Sequence, residues 1–560
     1  MIFKRVLIDE PENWPKAIAW WAAFAGMLIF QACLKGHPPS EGMHLLLDHD
    51  VTSVTWSRAG SAPAGANIVY FERQSFTATP EMPLLDQVAN LATIPKQGGQ
   101  SVSLASGVRI SGRTAEWDSQ GKLLVVSTNS EDTTSELLRV DPVSGTVEDL
   151  GMGFGFRQIG DWVVLNQPTA DGRIGSVARA PDGRTVVLGT GRVLGARGDQ
   201  FLVLNDDLSL HLVSADGTDI VVATDVWSAD LLPTAGPPIL LLGRMTQGGV
   251  STSHVSIDLS IRELSTGSDH VYATGVDSWV FDRLDADATT LAVGTTTNGA
   301  MSLHLISLVA AADEVIALPP PDPSVPESGM YEAFWRPGAE ELWVFDGSRP
   351  ITMVWRPQQP IVTIARTAAL NVAAEASAPV GGVIEPGAAS VSDSSPFVDH
   401  GAHWLSMGTD GMVHLNATDD LSAPEGPAFP VTGGSLFQVV GVGTDSYVAH
   451  LAVSPDRSDL YWVAPARLMS RLLATRIGDV VYGADRVLAS SKMASEVQAA
   501  DLTLYDLVTG APTLIAQNMT GFALAPCDGC GPIDAGTSVV FAIQALYPNA
   551  YDGIWSGSLP

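Results

Sequence analysis

Basic residues and cysteines are scarce in this chain of 560 residues. Lys and Arg total 30 against 61 Asp and Glu, which gives a formal net charge of -31. A surface this acidic repels phosphate backbones, so nucleic acid is not expected as a partner, and cations or basic protein patches suit it better. The alternative is that the charge serves solubility alone. Hydrophobic residues make up 46% of the sequence, which is enough for a large buried core.

Motifs of two common catalytic classes are also missing. The sequence has no Gly-x-Ser-x-Gly elbow and no Gly-x-x-x-x-Gly-Lys phosphate loop. The nearest approach to the elbow is residues 553–557, where the serine stands one place late. These absences argue against a serine hydrolase and against a nucleotide-binding enzyme.

Two turn phrases recur along the chain. The first is a tight turn built on Asp, Gly or Pro and followed by a strand, and it occurs at residues 117–126, 180–188, 215–222, 335–344 and 454–463. The second is a strand, a Thr-Gly or Ser-Gly turn and another strand, and it occurs at residues 138–147, 261–267 and 502–511. Gly and Asp suit such turns because Gly adopts positive φ freely and Asp caps its own backbone.

Recurrence of short hairpins predicts a repeat fold. Four-stranded antiparallel sheets cannot bury both faces alone, so they stack around an axis. The sequence therefore predicts an all-β protein with a single β-propeller of seven or eight four-stranded antiparallel blades over residues 51–560. We expect the last strand, 553–559, to close the ring against the first strands near Val51. Residues 372–396 read as a surface insertion, and residues 465–475 are the one stretch that could be helical.

Two of the turns carry a more specific motif. Residues 180–183 read Ala-Pro-Asp-Gly and residues 454–456 read Ser-Pro-Asp. In these turns the chain resembles the TolB-like and WD40-like β-propellers of the bacterial envelope, in which a Ser-Pro-Asp-Gly turn precedes a strand in each blade. The resemblance covers most of residues 51–560 and implies the fold, whereas propellers host many different functions.

The N-terminus has the pattern of a targeting segment. Residues 17–32 form an apolar run without a charge, and Ala32 precedes Cys33. The run suits a signal peptide or a membrane anchor. It resembles a bacterial lipoprotein signal, which implies that Cys33 is the lipidated mature N-terminus; an uncleaved anchor is the alternative. Both readings predict an extracytoplasmic protein on the outer membrane or cell surface, with residues 1–33 as the signal or anchor and residues 34–50 as a polar tether.

The remaining two cysteines, Cys527 and Cys530, lie in a Gly- and Pro-rich turn. Outside the cytoplasm, two neighbouring cysteines are expected to form a disulfide. The loop is so short that the chain-entropy contribution is only about 2 kcal/mol. The bond would therefore stiffen a turn and not hold the fold together.

The best candidate metal ligands are Asp399, His400, His403 and His414. Imidazole and carboxylate groups bind zinc and other transition metals. Residues three apart on a strand point to opposite faces, so only a turn would bring the first two histidines together, and a solvated loop is the alternative.

Clustered carboxylates offer a second type of metal site. Asp282, Asp285 and Asp287 form one group and residues 206–207 a smaller one. Carboxylate oxygens are the ligands that Ca²⁺ prefers, but the spacing of a calcium-binding loop is absent. Capping of turns is the favoured interpretation.

These features predict a non-enzymatic, lipid-anchored propeller that serves as a scaffold and binds a protein or polymer of the envelope or cell surface, with no cofactor required. The alternative is a propeller enzyme that uses a metal or redox cofactor in the central channel.

Overall fold

The computed structural model of the protein describes residues 38–48, 51–56, 67–73, 88–109, 115–128, 135–170, 172–232, 239–247, 256–309, 312–319, 331–346, 349, 351–368, 373–374, 395–408, 410–431, 435–442, 445–454, 457–483, 485–492, 500–524, 533, 536–543, 551 and 553–560. In this part of the chain, strands dominate, and the only helical segments are two 3-10 turns, Asp399–Gly401 and Pro465–Arg467.

The strands alternate buried and exposed side chains because successive residues point to opposite faces of a sheet. In β13 (Thr185–Gly189), Val186 and Leu188 are buried while Val187 is exposed. Strands of this composition pair with their neighbours in sequence, and nearly all of the pairs are antiparallel.

The first strand is β1 (His44–Leu47). The first blades are β2 (Val51–Trp56), β3 (Asn67–Arg73), β4 (Val88–Pro95) and β5 (Val102–Arg109) in blade 1; β6 (Ala115–Trp117), β7 (Leu123–Thr128), β8 (Ser135–Val140) and β9 (Val147–Gly153) in blade 2; β10 (Gly155–Ile159), β11 (Trp162–Pro168), β12 (Ile174–Arg179) and β13 in blade 3; and β14 (Arg192–Arg197), β15 (Gln200–Leu204), β16 (Leu210–Ser214) and β17 (Asp219–Ala223) in blade 4.

The next blades are β18 (Val226–Leu232), β19 (Ile239–Gln247), β20 (Ser256–Glu263) and β21 (Asp269–Val276) in blade 5; β22 (Ser278–Leu284), β23 (Thr290–Thr297), β24 (Ala300–Ser307) and β25 (Ala312–Ala317) in blade 6; β26 (Tyr331–Trp335), β27 (Leu342–Asp346), β28 (Ile351–Trp355) and β29 (Val362–Ile364) in blade 7; and β30 (Thr367–Ala368), β32 (Phe397–Val398), β33 (His403–Met407) and β34 (Val413–Ala417) in blade 8. The short strand β31 (Ala373–Ala374) pairs in parallel with β35 of blade 9.

The last blades are β35 (Ser435–Gly441), β36 (Tyr447–Ser454), β37 (Arg457–Ala464) and β38 (Met469–Thr475) in blade 9; β39 (Ile477–Tyr482), β40 (Arg486–Lys492), β41 (Ala500–Asp506) and the first part of β42 (Pro512–Leu524) in blade 10; and the end of β42, β43 (Ser538–Ile543), β44 (Gly553–Ser558) and β1 in blade 11. In blade 8, β30 and β32 both pair with β33 and together make the first strand, and a bridge from His414 to Ala428 takes the place of the fourth.

Eleven hydrophobic clusters in the described residues join the blades in series. Each cluster contains side chains of two successive blades, from blades 1 and 2 through blades 10 and 11. The remaining cluster joins blade 11 to blade 1 through Val540, Ile554, Val54 and Tyr70. Because every blade packs on its two neighbours and the last packs on the first, the blades form a closed ring, and the predicted all-β propeller is confirmed.

Pairing of the two chain ends completes the ring. β1 lies antiparallel to β44, with His44 opposite Ser556 and Leu47 opposite Ile554. The predicted closure by the last strand is therefore present, but its partner is β1 and not the strand at Val51, which begins blade 1. Residues 44–47 belong to the ring although the sequence placed them in a tether.

Successive strands alternate in direction, so the turns fall on two faces of the ring. The turns between first and second strands and those between third and fourth strands emerge on the same side, for example residues 198–199 and 215–218 of blade 4. We call this side the front face. The chain also joins β1 from this side, because β1 takes the place of a fourth strand.

Three sequence expectations differ from the structure. The described strands make eleven blades, so seven or eight was too few. Residues 465–475, which could have been helical, are a single 3-10 turn followed by β38. The insertion at 372–396 lies outside the described residues except at 373–374 and 395–396.

Candidate functional site

A cleft of about 300 Å³ opens on the front face between blades 8 and 9. It lies beside the turn at residues 399–402, which joins β32 to β33. Residues 420–427, which follow β34, form part of its wall. Its polar lining consists of Arg366, His403, Asn416, Asp420, Asp445 and Tyr447. Pro465, at the turn between β37 and β38, contributes to the apolar wall.

The turn at residues 399–402 has an unusual backbone. Asp399 and His400 both have φ of 54°, and Gly401 follows at 86°. The left-handed region costs a residue with a Cβ atom about 1 kcal/mol. Such conformations persist only where the surrounding structure holds them, and they concentrate at functional sites.

Side chains from three blades hold this turn in place. The carbonyl oxygen of Gly401 accepts hydrogen bonds from Arg336 Nε of blade 7 at 2.8 Å and from Thr418 Oγ1 of blade 8 at 2.7 Å. From blade 9, the Tyr447 hydroxyl donates to Asp399 Oδ2 at 2.5 Å. The cleft wall is therefore fixed by neighbouring blades as well as by its own hairpin.

Asp399, His403 and Tyr447 form a hydrogen-bonded group that we call the Asp399 network. His403 Nδ1 lies 2.8 Å from Asp399 Oδ2, the same oxygen that accepts from Tyr447. Gly441 makes room for the carboxylate, because a Cβ atom there would lie 2.7 Å from Asp399 Oδ1. A side chain at position 441 would displace the network.

The network shifts the pKa of both ionisable partners. The hydrogen bond that His403 donates to Asp399 raises the pKa of His403 above its usual 6.5, and burial opposes this only in part. Burial alone would raise the pKa of Asp399, but hydrogen bonds from His403 and Tyr447 outweigh it and lower the pKa. The geometry thus favours an imidazolium facing a carboxylate.

We expect His403→Gln to lower the free energy of unfolding by about 1 kcal/mol between about pH 4 and about pH 6.5, because both partners are partly exposed. The raised pKa of His403 stabilises the fold below its unfolded value, and this stabilisation is lost as pH rises through the folded value. The lowered pKa of Asp399 acts in the opposite direction, and its stabilisation is lost as pH falls through the folded value. Urea unfolding at about pH 5.5 and about pH 8.5 measures the difference. The exposed His270→Gln is the control, and an effect of His403→Gln that does not change with pH would contradict this account.

The structure separates the predicted metal ligands. His403 contacts Asp399, but His414 binds the carbonyl oxygen of Gly426 through Nδ1 at 2.8 Å and lies 3.1 Å from Asp410 Oδ1 through Nε2. His414 is opposite Ser406 in the β33–β34 pair, three residues from His403, so the two imidazoles leave opposite faces of the sheet. Among the described residues, no group of three His, Cys, Asp or Glu could hold a metal ion, and Asp399, His400, His403 and His414 do not form the predicted site.

The carboxylates considered as Ca²⁺ ligands serve turns. Asp285 accepts from the backbone N–H groups of Thr289 at 2.7 Å and Thr290 at 2.9 Å. Asp207 accepts from the N–H of Ser209 at 3.0 Å. Asp282 lies on β22, where burial and then the nearby Asp230 raise the pKa of its carboxyl. The capping interpretation accounts for the two turn residues.

The lipidation site Cys33 and the predicted disulfide partners Cys527 and Cys530 lie outside the described residues. They remain predictions from the sequence.

Sequence reasoning did not find Tyr447, Asp420, Asp445 or Gly441. Tyr447 is 48 residues from Asp399 along the chain, and only the packing of blade 9 on blade 8 brings the two together. A single Tyr at the start of a strand does not indicate, from the neighbouring sequence, that it will contact a residue of another blade. The pair Asp399 and His403 was detectable because both residues belong to one short hairpin.

No family model and no curated protein matches this chain. Among solved structures, the Dos1 propeller is 9% identical, with 76% of this chain and 92% of that chain covered and a TM-score of 0.31. Dipeptidyl peptidase 4 from Porphyromonas gingivalis is 10% identical, with coverages of 90% and 67% and a TM-score of 0.33. TolB from Acinetobacter baumannii is 12% identical, with coverages of 52% and 67% and a TM-score of 0.22. These scores are too low to carry an argument, so the propeller assignment rests on the closed ring of blades.

Proposed function

We propose that this protein is a non-enzymatic β-propeller scaffold, anchored outside the cytoplasm, that binds an envelope or cell-surface protein on its front face. The cleft between blades 8 and 9 is the observation that carries the proposal. Two exposed carboxylates, Asp420 and Asp445, line it, and the ring of Tyr447 is buried in its wall. The two carboxylates suit a lysine or arginine side chain of the partner, because they pair with its charge.

Both carboxylates are in a position to act electrostatically. Hydrogen bonds from the side chain and then the backbone of Ser422 lower the pKa of Asp420, so this residue stays ionised at neutral pH. Asp445 contributes to the raised pKa of His403 through its charge, which places its field inside the cleft. The two exposed carboxylates therefore present negative charge to solvent, whereas the cationic groups of the same lining, Arg366 and His403, are half-buried.

The polar groups of the lining are engaged with one another. No Ser, Thr, Cys or Lys is among the described residues that form the cleft. His403 and Tyr447, whose side-chain types can act as nucleophiles, are both hydrogen-bonded to Asp399 Oδ2. This arrangement supports a binding role for the cleft.

The charge of the whole ring supports the same class of partner. With a net charge of -31, the protein attracts basic surfaces from a distance and raises the association rate with them. The turns of eleven blades offer a broad face for such contacts.

The extracytoplasmic location is supported by the sequence before the ring. The uncharged run at residues 17–32 and Cys33 have the pattern of a lipoprotein signal. In the part of the chain that the structure describes, no helix has the length and apolar character needed to cross a bilayer. The run itself precedes this part.

We expect Asp420→Asn combined with Asp445→Asn to reduce recovery of the natural partner about tenfold when the full protein is extracted from its membrane and purified with its bound proteins. Asn removes the charge and tolerates the left-handed φ of 58° at position 445. Asp225→Asn is the matched control, since Asp225 is exposed and has φ of 59° but lies between blades 4 and 5.

Quantitative mass spectrometry of the recovered proteins gives the result. Equal recovery with both variants would contradict the role of the cleft. The same sample tests the anchor: an acylated N-terminal Cys33 supports lipidation, whereas an intact Met1 with an unmodified Cys33 thiol excludes it.

A further inference from the structure

Arg366 is a cation of the cleft lining that the proposed function does not use. It lies between β29 and β30 and is half-buried. Its Nη1 donates to Asn416 Oδ1 at 3.2 Å, and its Nη2 donates to the carbonyl oxygen of Ala423. Both acceptors are neutral, and no carboxylate of the described residues lies within ion-pair distance of this guanidinium. In blade 7, by contrast, Arg336 pairs with Glu341 at 3.2 Å.

The half-buried groups of the cleft can bind a carboxylate. Arg carries five N–H donors in a planar fork that matches a carboxylate, and the two hydrogen bonds of Arg366 leave several of these donors for a ligand. His403 adds one more donor. Its Nδ1 bonds Asp399, which raises the pKa of the imidazole, while its Nε2 makes no hydrogen bond to the described part of the chain. Asp399 balances the imidazolium charge, so Arg366 supplies the net positive charge of the cleft.

An exposed carboxylate lies near each of these two donors. The N–H of Ala423 donates to the carbonyl oxygen of Asp420 at 3.2 Å, so these residues are the two ends of a turn. The Cα atoms at the ends of such a turn are within about 7 Å of each other. Arg366 bonds the Ala423 end, which places it close to Asp420. Asp445 approaches from blade 9, and its charge contributes to the raised pKa of His403.

This arrangement of charges disfavours simple anions and simple cations. A phosphate group would meet repulsion from Asp420 and Asp445, and an isolated ammonium group would leave Arg366 without a counterion. A ligand that carries a carboxylate and a cation a short distance apart satisfies both sets of groups. In a C-terminal lysine, the α-carboxylate and the side-chain ammonium are at most about 8 Å apart.

The size and the walls of the cleft favour the end of a polypeptide over a segment that passes through. A volume of about 300 Å³ is at the lower end of the range for ligand sites and suits a single residue. Pro424, Pro427 and Pro465 line the cleft. Proline has no backbone N–H, so these walls are not an edge to which an extended peptide could add as a strand.

We propose that the cleft recognises its partner protein by a C-terminal lysine or arginine residue. Arg366 binds the α-carboxylate together with His403 Nε2, and Asp420 and Asp445 bind the basic side chain. This inference rests on the proposed function, in which the same two carboxylates bind a basic group, and it adds that the recognised residue ends its chain. Arg366 is then the residue that distinguishes a terminal lysine from an internal one, because an internal lysine has no α-carboxylate.

Fluorescence anisotropy with short peptides tests the proposal on the full protein in detergent solution. Each peptide carries a neutral dye at its N-terminus. The first is Gly-Ala-Ala-Lys with a C-terminal carboxylate, the second is its C-terminal amide, and the third is Gly-Ala-Ala-Ala with a carboxylate. We expect the lysine acid to bind at least about tenfold more tightly than either of the others, because each of these lacks one charged group that the cleft binds.

Arg366→Gln isolates the contribution of the guanidinium. We expect this variant to bind the lysine acid only as tightly as the amide, and to change the affinity for the amide less than about twofold. Arg283→Gln is the matched control, because Arg283 is also half-buried and donates to the backbone carbonyl oxygens of Asp282 and Ala333, but lies at blades 6 and 7. An Arg366→Gln variant that loses acid and amide equally would show that Arg366 only shapes the cleft, which overturns the inference.

The peptides also separate this inference from the proposed function. Equal affinities for acid and amide, both lowered by Asp420→Asn with Asp445→Asn, overturn the recognition of a chain end and leave the proposed function intact. Equal affinities that this double substitution does not change overturn both. Binding of the alanine acid as tight as that of the lysine acid also overturns both, because the basic side chain then contributes nothing.

Two further outcomes overturn the inference alone. The first is no binding of the lysine acid at about 1 mM, in which case recovery of the natural partner still decides the proposed function. The second is displacement of the lysine acid by free L-lysine as effectively as by unlabelled peptide, which would identify a free amino acid as the occupant in place of a polypeptide.

Discussion

Replacing Trp404 by alanine is expected to lower the free energy of unfolding by about 3–5 kcal/mol, because removal of this large side chain leaves a cavity in a packed interface between blades. Trp404 is only 1% exposed and lies between blades 7 and 8. Its ring packs edge-on against Trp343, with the ring centres 5.2 Å apart, and is tilted by 31° relative to Phe345, whose ring centre lies 6.3 Å away. Urea unfolding followed by intrinsic fluorescence and circular dichroism measures the loss.

The control for this substitution is Trp227→Ala. Trp227 is 45% exposed on β18, so its removal costs little and corrects for the loss of one fluorophore. His403 immediately precedes Trp404 on β33, so the variant is also expected to weaken partner recovery through the Asp399 network. A cost below about 1 kcal/mol would show that blades 7 and 8 do not pack as described.

The second large effect is expected at the seam where the two chain ends meet. Gly553 begins β44 with φ of +129°, and a Cβ atom there would lie 2.0 Å from the carbonyl oxygen of Leu47 in β1. Alanine therefore combines backbone strain with a clash against a backbone atom that cannot rotate away. We expect Gly553→Ala to cost more than about 3 kcal/mol and to detach β1, with faster amide exchange at residues 44–47 as the direct measurement.

Gly99→Ala isolates the contribution of the backbone angle. Gly99 has φ of +127°, but nothing lies within 4 Å of an added Cβ atom. This variant carries the strain without the clash, and we expect a cost of about 1 kcal/mol with normal protection of β1. If the two variants are equally stable, closure of the ring does not depend on the fit of β44 against β1.

The sequence predicted the kind of structural unit but not its number. The Asp-Gly turns and alternating strands are local features, and they correctly indicated stacked antiparallel sheets. However, the first turn phrase occupies different positions in different blades: residues 118–122 and 336–341 join first and second strands, whereas residues 180–184 and 215–218 join third and fourth strands. A phrase that changes its place in the repeat gives no constant period, so blades without it were not counted.

In the candidate site, too, contacts within one hairpin could be predicted from the sequence, whereas contacts between blades could not. Asp399 and His403 were predictable together because one hairpin contains both. The register of β33 and β34 decides that His414 faces the other side of the blade, and a shift by one residue would have reversed this outcome. Tyr447 enters only through the contact between blades. Residue identity thus revealed the ionisable pair, whereas strand register and blade packing determined which groups join it.

Closure by strands from opposite ends also governs when the protein can finish folding. Thr520 Oγ1 donates to the carbonyl oxygen of Val51, a contact across 469 positions of sequence. Inner blades can assemble as they leave the ribosome, since each needs only its neighbour. β1 emerges early and waits, unpaired, until nearly all of the polypeptide has followed. A partly synthesised chain therefore exposes an unpaired strand edge, and chaperones that protect such edges would act during this interval.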